Sequence, residues 1–132
     1  MHEVRRAFAV TAYARPTART TVFEFSDGTL VFEPHSMHYR IVSDATGAEY
    51  DTSIQAHEID NVDGNGTDHG SISGRFAWTF YPGDASIDGT VTDHVISLDM
   101  VGRATYTVYC NTGATLSIDF VGQSTDICAA IS

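Results

Sequence analysis

Phe23-Glu24-Phe25-Ser26-Asp27-Gly28-Thr29-Leu30-Val31-Phe32 carries the strongest local signal in the chain. Apolar and polar residues alternate on both sides of Asp27-Gly28, and a period of two marks a half-buried strand. Asp-Gly between such runs predicts a hairpin with a two-residue loop. Folding there pairs Phe25 with Leu30 and Phe23 with Phe32, and leaves Val22 and Glu24 on the other face with Val31 and Glu33. One face is apolar and the other mixed, as register demands when one side of a sheet is buried.

The same test applies at each later turn. Pro82-Gly83 has the residues of a type II turn and sets Phe80 against Ala85, Trp78 against Ile87 and Phe76 against Gly89. Asn111-Thr112-Gly113 reads as a three-residue loop that pairs Val108 with Leu116, Tyr106 with Ile118 and Ala104 with Phe120. Thr105, Thr107 and Thr115 then share the opposite face with Ser117 and Asp119. The remaining turns are placed to agree with these three. Asp63 to Thr67 as a five-residue loop puts Glu58 beside Ile72 and Ile54 beside Phe76, and Ala45 to Ala48 aligns Ile41 with Thr52 and Tyr39 with Ile54. Asp93-His94 aligns Val91 with Ile96 and Gly89 with Leu98. Pro34-His35 links Phe32 to Met37, and Ala14 to Thr17 links Phe8 to Phe23. Val95 to Cys110 keeps one parity, as one long strand bent at Gly102 or as two strands.

The apolar face so assembled holds Phe8, Val10, Phe23, Phe25, Leu30, Phe32, Met37, Tyr39, Ile41, Ile54, Phe76, Trp78, Phe80, Ile87, Leu98, Met100, Tyr106, Leu116, Ile118 and Phe120. The other face is mostly Thr, Ser, Asp, Arg and His. No amphipathic helix of useful length remains to cover it. The expected fold is therefore all-β: an antiparallel up-and-down meander of about eight to ten strands, closed into a small β-barrel that leaves no edge strand exposed. Residues 1–132 form one domain, and Ser124 to Ile131 is either a last strand or a short helix capping one end.

Composition narrows the partners. The net charge of −10, from 17 acids against 7 basic residues, repels phosphate backbones and anionic membrane surfaces. No nucleic acid or membrane partner is expected. All the basic residues are arginines, so a Schiff-base or general-base lysine is excluded. Met1-His2-Glu3-Val4-Arg5-Arg6 lacks the apolar core of a secretory signal, and the expected location is cytoplasmic. Cys110 and Cys128 then read as free thiols.

Chemistry on the inner face is confined to Arg6, Thr21, Tyr39, Tyr50, Thr52, Glu58 and Tyr106, with Trp78 among the apolar majority. Arg6 and Glu58 are the only charges there on this register. Each either finishes a strand at the barrel rim or stands at a pocket mouth, where desolvation would raise the glutamate toward useful acid or base strength. Tyr39 and Tyr106 join them as candidate catalytic groups. Trp78, Phe76, Met37, Met100, Tyr50, Phe32 and Leu98 are the candidate ligand-binding residues. Gly74 and Gly89 fall mid-strand, marking either a bend or the close approach of a ligand.

No metal is expected: His35 and His38 are not spaced to share a strand face, and His38 and His57 form at best a surface pair across Gln55. Asp60 to Asp68 has the composition of a calcium loop without its terminal glutamate or flanking helices, and reads as a solvated turn. No nucleophile elbow, phosphate loop or dinucleotide fold is present, and no cofactor is expected.

In architecture alone, the expected barrel resembles the calycin class and the small barrel cyclases of polyketide pathways, including those that form spirotetronates by cycloaddition. That resemblance implies a hydrophobic small molecule inside the barrel. The leading expectation is a cofactor-free cyclase or isomerase that fixes the conformation of an apolar, unsaturated substrate. Two alternatives stand beside it: a lipocalin-like carrier that releases its ligand unchanged, and a structural or interaction domain with a filled core. A homodimer is compatible with each.

Overall fold

The computed structural model describes residues 10–16 and 21–132. Its strands are β1 (Val10–Pro16), β2 (Thr21–Glu24), β3 (Thr29–Ser43), β4 (Glu49–Val62), β5 (Thr67–Phe80), β6 (Ile96–Tyr109) and β7 (Ala114–Asp126), followed by one helix, α1 (Ile127–Ile131). All seven strands lie in one antiparallel sheet of order β1-β3-β4-β5-β6-β7, with β2 also on β3. From β3 to β7 the chain is a meander, as expected, while β1 pairs with β3 rather than with β2. The sheet is open, however: among the described residues β7 pairs only with β6, and β1 and β2 share the other edge along β3. No helix among the described residues is long and apolar enough to cross a membrane.

The first hairpin differs from its expected form by one residue. A two-residue type I′ loop needs positive φ at both central positions, and no described residue other than glycine has one. Gly28 alone, at φ 88°, takes that conformation. Phe25 and Thr29 close a three-residue loop, with the Phe25 N–H donating to Thr29 O at 2.9 Å and the Gly28 N–H to Phe25 O at 3.0 Å. Asp27 Oδ1 accepts from the Thr29 N–H at 3.0 Å. The slip pairs Val22 with Phe32 and Phe23 with Val31, and a one-residue slip turns every side chain over. Phe23 and Phe25 are therefore exposed and away from the core.

Other turns fare variously. The loop after Val62 is as expected, with Glu58 opposite Ile72. At 45–48 the register moves by two, so Ile41 faces Tyr50 and Tyr39 faces Thr52; an even shift keeps every residue on its expected side. Pro34 makes no hairpin. β3 runs through it with an irregularity between Phe32 and His35, where proline has no N–H to give the ladder. β1 pairs with the second half of β3 rather than turning at Ala14 to Thr17. The expected places of Phe8 and Arg6 lie outside the described residues.

The largest correction lies after Phe80. The turn at Pro82-Gly83 forms, with the Asp84 N–H donating to Tyr81 O at 2.9 Å and Gly83 at φ 98°. Yet β5 finds its partner in β6, with Trp78 opposite Leu98 and Phe76 opposite Met100. Residues 81–95 are an excursion whose one bridge joins Ala85 to Val91, and Gly89 lies in its tight turn. A long ladder of alternating apolar residues buries more than Ser86 and Asp88 could. The Asp93-His94 hairpin is accordingly absent, and Val95 to Cys110 contributes the single strand β6.

Gly102 lies within β6, a single strand without a break. Gly74, Gly102 and Gly122 are successive cross-strand neighbours on β5, β6 and β7. A Cβ on Gly102 would run into Val121 O, and one on Gly74 into Gln55 O. Along this row the backbones approach too closely for any side chain. Pairing of β4 with β5 stops beside it, at Gln55 and Arg75. Beyond that point the first half of β4 leaves β5.

Two apolar clusters follow. The larger packs Phe76, Phe80, Leu98, Met100, Ala104, Tyr106 and Ile118, and each large side chain fully buried there contributes about 1.5–3 kcal/mol. The smaller joins Ile41, Tyr39 and Tyr50 to Ile127 and Ile131 of α1. Asp126 caps that helix, accepting from the Ala129 N–H at 3.0 Å. The tail divides between the two expected forms: Ser124 to Asp126 finish β7, and Ile127 to Ile131 form the helix.

Candidate active site: an acid and phenol cleft

Alternation along β4 sends Glu58 and Asp60 to the same face, and β5 brings Asp68 beside them, opposite Val62. Tyr106 of β6 reaches across, its hydroxyl donating to Asp60 Oδ1 at 2.6 Å. The ring passes over Gly70, where a Cβ would stand 2.4 Å from the phenol carbons and 2.5 Å from Asp60 Oδ1. Glycine at 70 is a matter of room for this contact. Trp78 packs against Tyr106 with ring centroids 4.8 Å apart, and its Nε1–H donates to Thr115 Oγ1 at 3.1 Å. These residues line an open cleft of about 330 Å³, with Thr79, Val108 and Gly113 completing the wall.

Thr115 reaches the cleft through a bulge. Tyr106 faces Ile118 and Ala104 faces Phe120 as expected, but the register shifts after Thr107, so Val108 faces Thr115. Thr115 is buried, and Leu116, expected inside, is exposed. A bulge inserts one extra residue and re-aims the side chains beside it.

Three carboxyls so placed oppose one another's ionisation. Burial first, then the hydrogen bond to Asp60 and the charges of Asp60 and Asp68, pushes the Glu58 carboxyl up to about 8. Burial and Asp60 push Asp68 up to about 7, against the pull of the Asn61 backbone and His69. Burial and the hydrogen bond to Asp60 raise the Tyr106 phenol above its usual range. The cleft therefore offers a Glu58 carboxyl protonated at neutral pH next to Asp60, which accepts the Tyr106 hydrogen bond, and general acid–base chemistry uses an acid and a base placed side by side. No group of three or more His, Cys, Asp or Glu among the described residues is disposed to hold a metal ion.

Of the residues expected at a site, Glu58, Tyr106 and Trp78 meet here. Phe32 lies opposite Glu58 on β3, beside the cleft. Phe76, Leu98 and Met100 are sealed in the larger cluster, and Met37 faces Ile54 on β3. Tyr39 and Tyr50 belong to the helix-covered cluster. There the Tyr50 hydroxyl donates to Asp99 Oδ2 at 2.7 Å, beside the Arg75 guanidinium, whose Nη2 is also 2.7 Å from Asp99 Oδ2. Arg6 lies outside the described residues. The histidines of the outer face each pair with an acid, His38 with Asp51 at 3.4 Å and His57 with Glu33 at 3.3 Å.

Asp60 and Asp68 were not expected on the inner face, and they correct the reading that Glu58 and Arg6 are its only charges. The signal was available: with Glu58 opposite Ile72, parity alone puts Asp60 on the face of Glu58. Thr115 depends on the bulge and had no such signal.

No protein-family model, curated protein or solved structure matches this chain. Fold and cleft define it by their own features, as an open antiparallel meander with an acid–phenol site on its inner face.

Proposed function

We propose that the chain is a cofactor-free acid–base catalyst of the isomerase or cyclase type, acting on a small unsaturated carbonyl compound held against Trp78 and Tyr106. One observation carries this: Glu58, Asp60 and Asp68 converge on one cleft whose floor is two aromatic rings. On binding, protonated Glu58 moves its hydrogen bond from Asp60 to the substrate carbonyl. The freed Asp60, held by Tyr106, removes a proton from the adjacent carbon to give a dienolate, and the same proton returns from Asp60 to the far end of the unsaturated system. The proton count closes without a cofactor. Positioned acid–base pairs of this kind contribute about a hundredfold to ten-thousandfold in rate.

Carboxyls raised by burial and by one another in a cleft support a functional role. The reading does not require closure into a barrel, since the groups are in place on the open sheet. It moves the substrate from a barrel interior to the cleft, because Phe76, Phe80 and Met100 are packed together. The same packing gives the carrier reading no support. An interaction domain is the second reading, favoured by the exposed Val22, Phe23 and Phe25 at the β2 edge.

Trp78 is the sole tryptophan, so its fluorescence reports directly on the cleft. The test is a panel of β,γ-unsaturated and enolisable ketones, followed by Trp78 quenching and by NMR in deuterium oxide. Saturable quenching with double-bond migration or deuterium uptake is expected, and Glu58→Gln should lose about a hundredfold of turnover while still quenching. Quenching without chemical change would favour a carrier. The absence of both quenching and exchange across the panel would overturn the proposal.

A further inference from the structure

The bulge beside Thr115 turns a leucine out to solvent and a threonine into the interior, an exchange that hydrophobic burial opposes. What the threonine gains is two sets of contacts. Its hydroxyl accepts from Trp78 Nε1. Its backbone is held by the 81–95 excursion: the Thr115 N–H donates to Asp84 Oδ1 at 3.1 Å, and the Ala85 N–H donates to Thr115 O at 2.9 Å.

Asp84 is the centre of that excursion. It is 4 % exposed, and its second oxygen accepts from the Tyr81 N–H at 2.8 Å. Its backbone carbonyl accepts from the Thr92 N–H at 2.8 Å. A single buried carboxylate thus ties both the excursion's own turn and the start of β7 together.

We infer that Asp84 is the positioning residue of the cleft, fixing Trp78 over Tyr106 by way of Thr115. The inference rests on the catalytic reading given above for what that orientation serves. Asp84 is not among the residues lining the cleft, so it acts through Thr115. The chain of contacts runs Asp84, Thr115, Trp78, Tyr106, Asp60, and it links the excursion to the acid cluster. A buried charged acceptor holds such a chain more firmly than a neutral one. The bulge has the same role from the other side, since without its register shift the residue facing Val108 would be Leu116.

The test uses the full chain and three variants: Asp84→Asn, Thr115→Val and Thr115→Ser. Trp78 emission and its quenching by acrylamide are read without substrate, so they do not depend on any activity. Thr115→Val keeps the side-chain volume and removes the hydroxyl, which guards against a folding failure in Asp84→Asn. Both are expected to red-shift Trp78 emission and to raise acrylamide quenching about twofold, as a freed indole N–H turns toward water. Thr115→Ser should restore the wild-type spectrum. With a substrate from the ketone panel, kcat/KM should fall about tenfold to a hundredfold in the first two variants, with the pH of half-maximal rate unchanged.

A purely structural role for Asp84 would lower the thermal midpoint and leave Trp78 emission as it is. Wild-type spectra in folded Asp84→Asn and Thr115→Val would overturn the inference. Shifted spectra in a protein that turns over none of the panel would uphold the linkage and overturn the catalytic reading instead.

Discussion

Tyr106 and Asp60, 46 residues apart in the chain, are joined by a buried hydrogen bond of 2.6 Å. Gly70 leaves the space in which the two meet. Tyr106→Phe would strand a carboxylate oxygen with no donor, and a buried acceptor left unsatisfied costs about 1–3 kcal/mol. Gly70→Ala should cost a similar amount by pushing the ring off Asp60, although the phenol is still present. Urea denaturation at neutral pH measures both. A Tyr106→Phe protein as stable as wild type would mean that water, not the phenol, satisfies Asp60.

Glu58 sets the sign of a pH dependence. Its carboxyl has an ordinary value of 4.5 and is raised to about 8 in the fold, and Asp68 goes from 3.8 to about 7. Between these limits the folded chain holds protons that the unfolded chain releases, so the stability they contribute is complete below the unfolded values and is lost as pH rises toward the folded ones. The urea midpoint should therefore fall from about pH 5 to about pH 8, and Glu58→Gln should flatten the slope. A midpoint that rises over this range in wild type and is unaffected by Glu58→Gln would show that the carboxyl is solvated.

Parity was legible in the sequence and register was not always. Glu58 opposite Ile72 followed from a loop length that agrees with the stronger turns; Tyr106 opposite Ile118 held although the loop before β7 has four residues rather than three, because the bulge after Thr107 restores the register. The Ile41 to Tyr50 pairing slipped by an even number, so Tyr39 and Tyr50 kept their face although their neighbours changed. At Asp27-Gly28 the slip was odd, because a side chain that avoids positive φ selects the three-residue loop over the two-residue one, and Phe23 changed sides. The Asp84 excursion was hidden for a different reason. Pro82-Gly83 signals a turn, and a turn signal does not say which strand comes back. The partner of β5 was decided by the long apolar ladder of β6, which is tertiary information.

Two glycines predict distinct costs. Gly113, at φ 72°, has open space around it, so Gly113→Ala should lose about 1–2 kcal/mol from backbone conformation alone. Gly102, at φ 150°, has Val121 O where its Cβ would go. Gly102→Ala should lose more than about 3 kcal/mol, because two backbones must separate. Thermal denaturation of the two variants side by side gives the difference. Equal losses would mean that the close approach of β6 to β7 at Gly102 relaxes without resistance.

On β6, three residues before Gly102, Asp99 is 3 % exposed and is shared by Arg75 and Tyr50. Burial pushes its carboxyl up, but the hydrogen bonds from Arg75 and Tyr50 outweigh burial and leave it below the usual carboxylate range. Removing the cation leaves a buried charge half satisfied, so Arg75→Gln should lose about 2–3 kcal/mol near neutral pH, and Tyr50→Phe about 1–2 kcal/mol. A depressed carboxyl contributes stability above its unfolded value and loses it as pH falls through the folded one, so the Arg75→Gln deficit should narrow in acid. Because both donors act on one carboxylate, the double variant should depart from the sum of the singles. Additive losses, or a deficit independent of pH, would show that Arg75 holds β5 by packing rather than through Asp99.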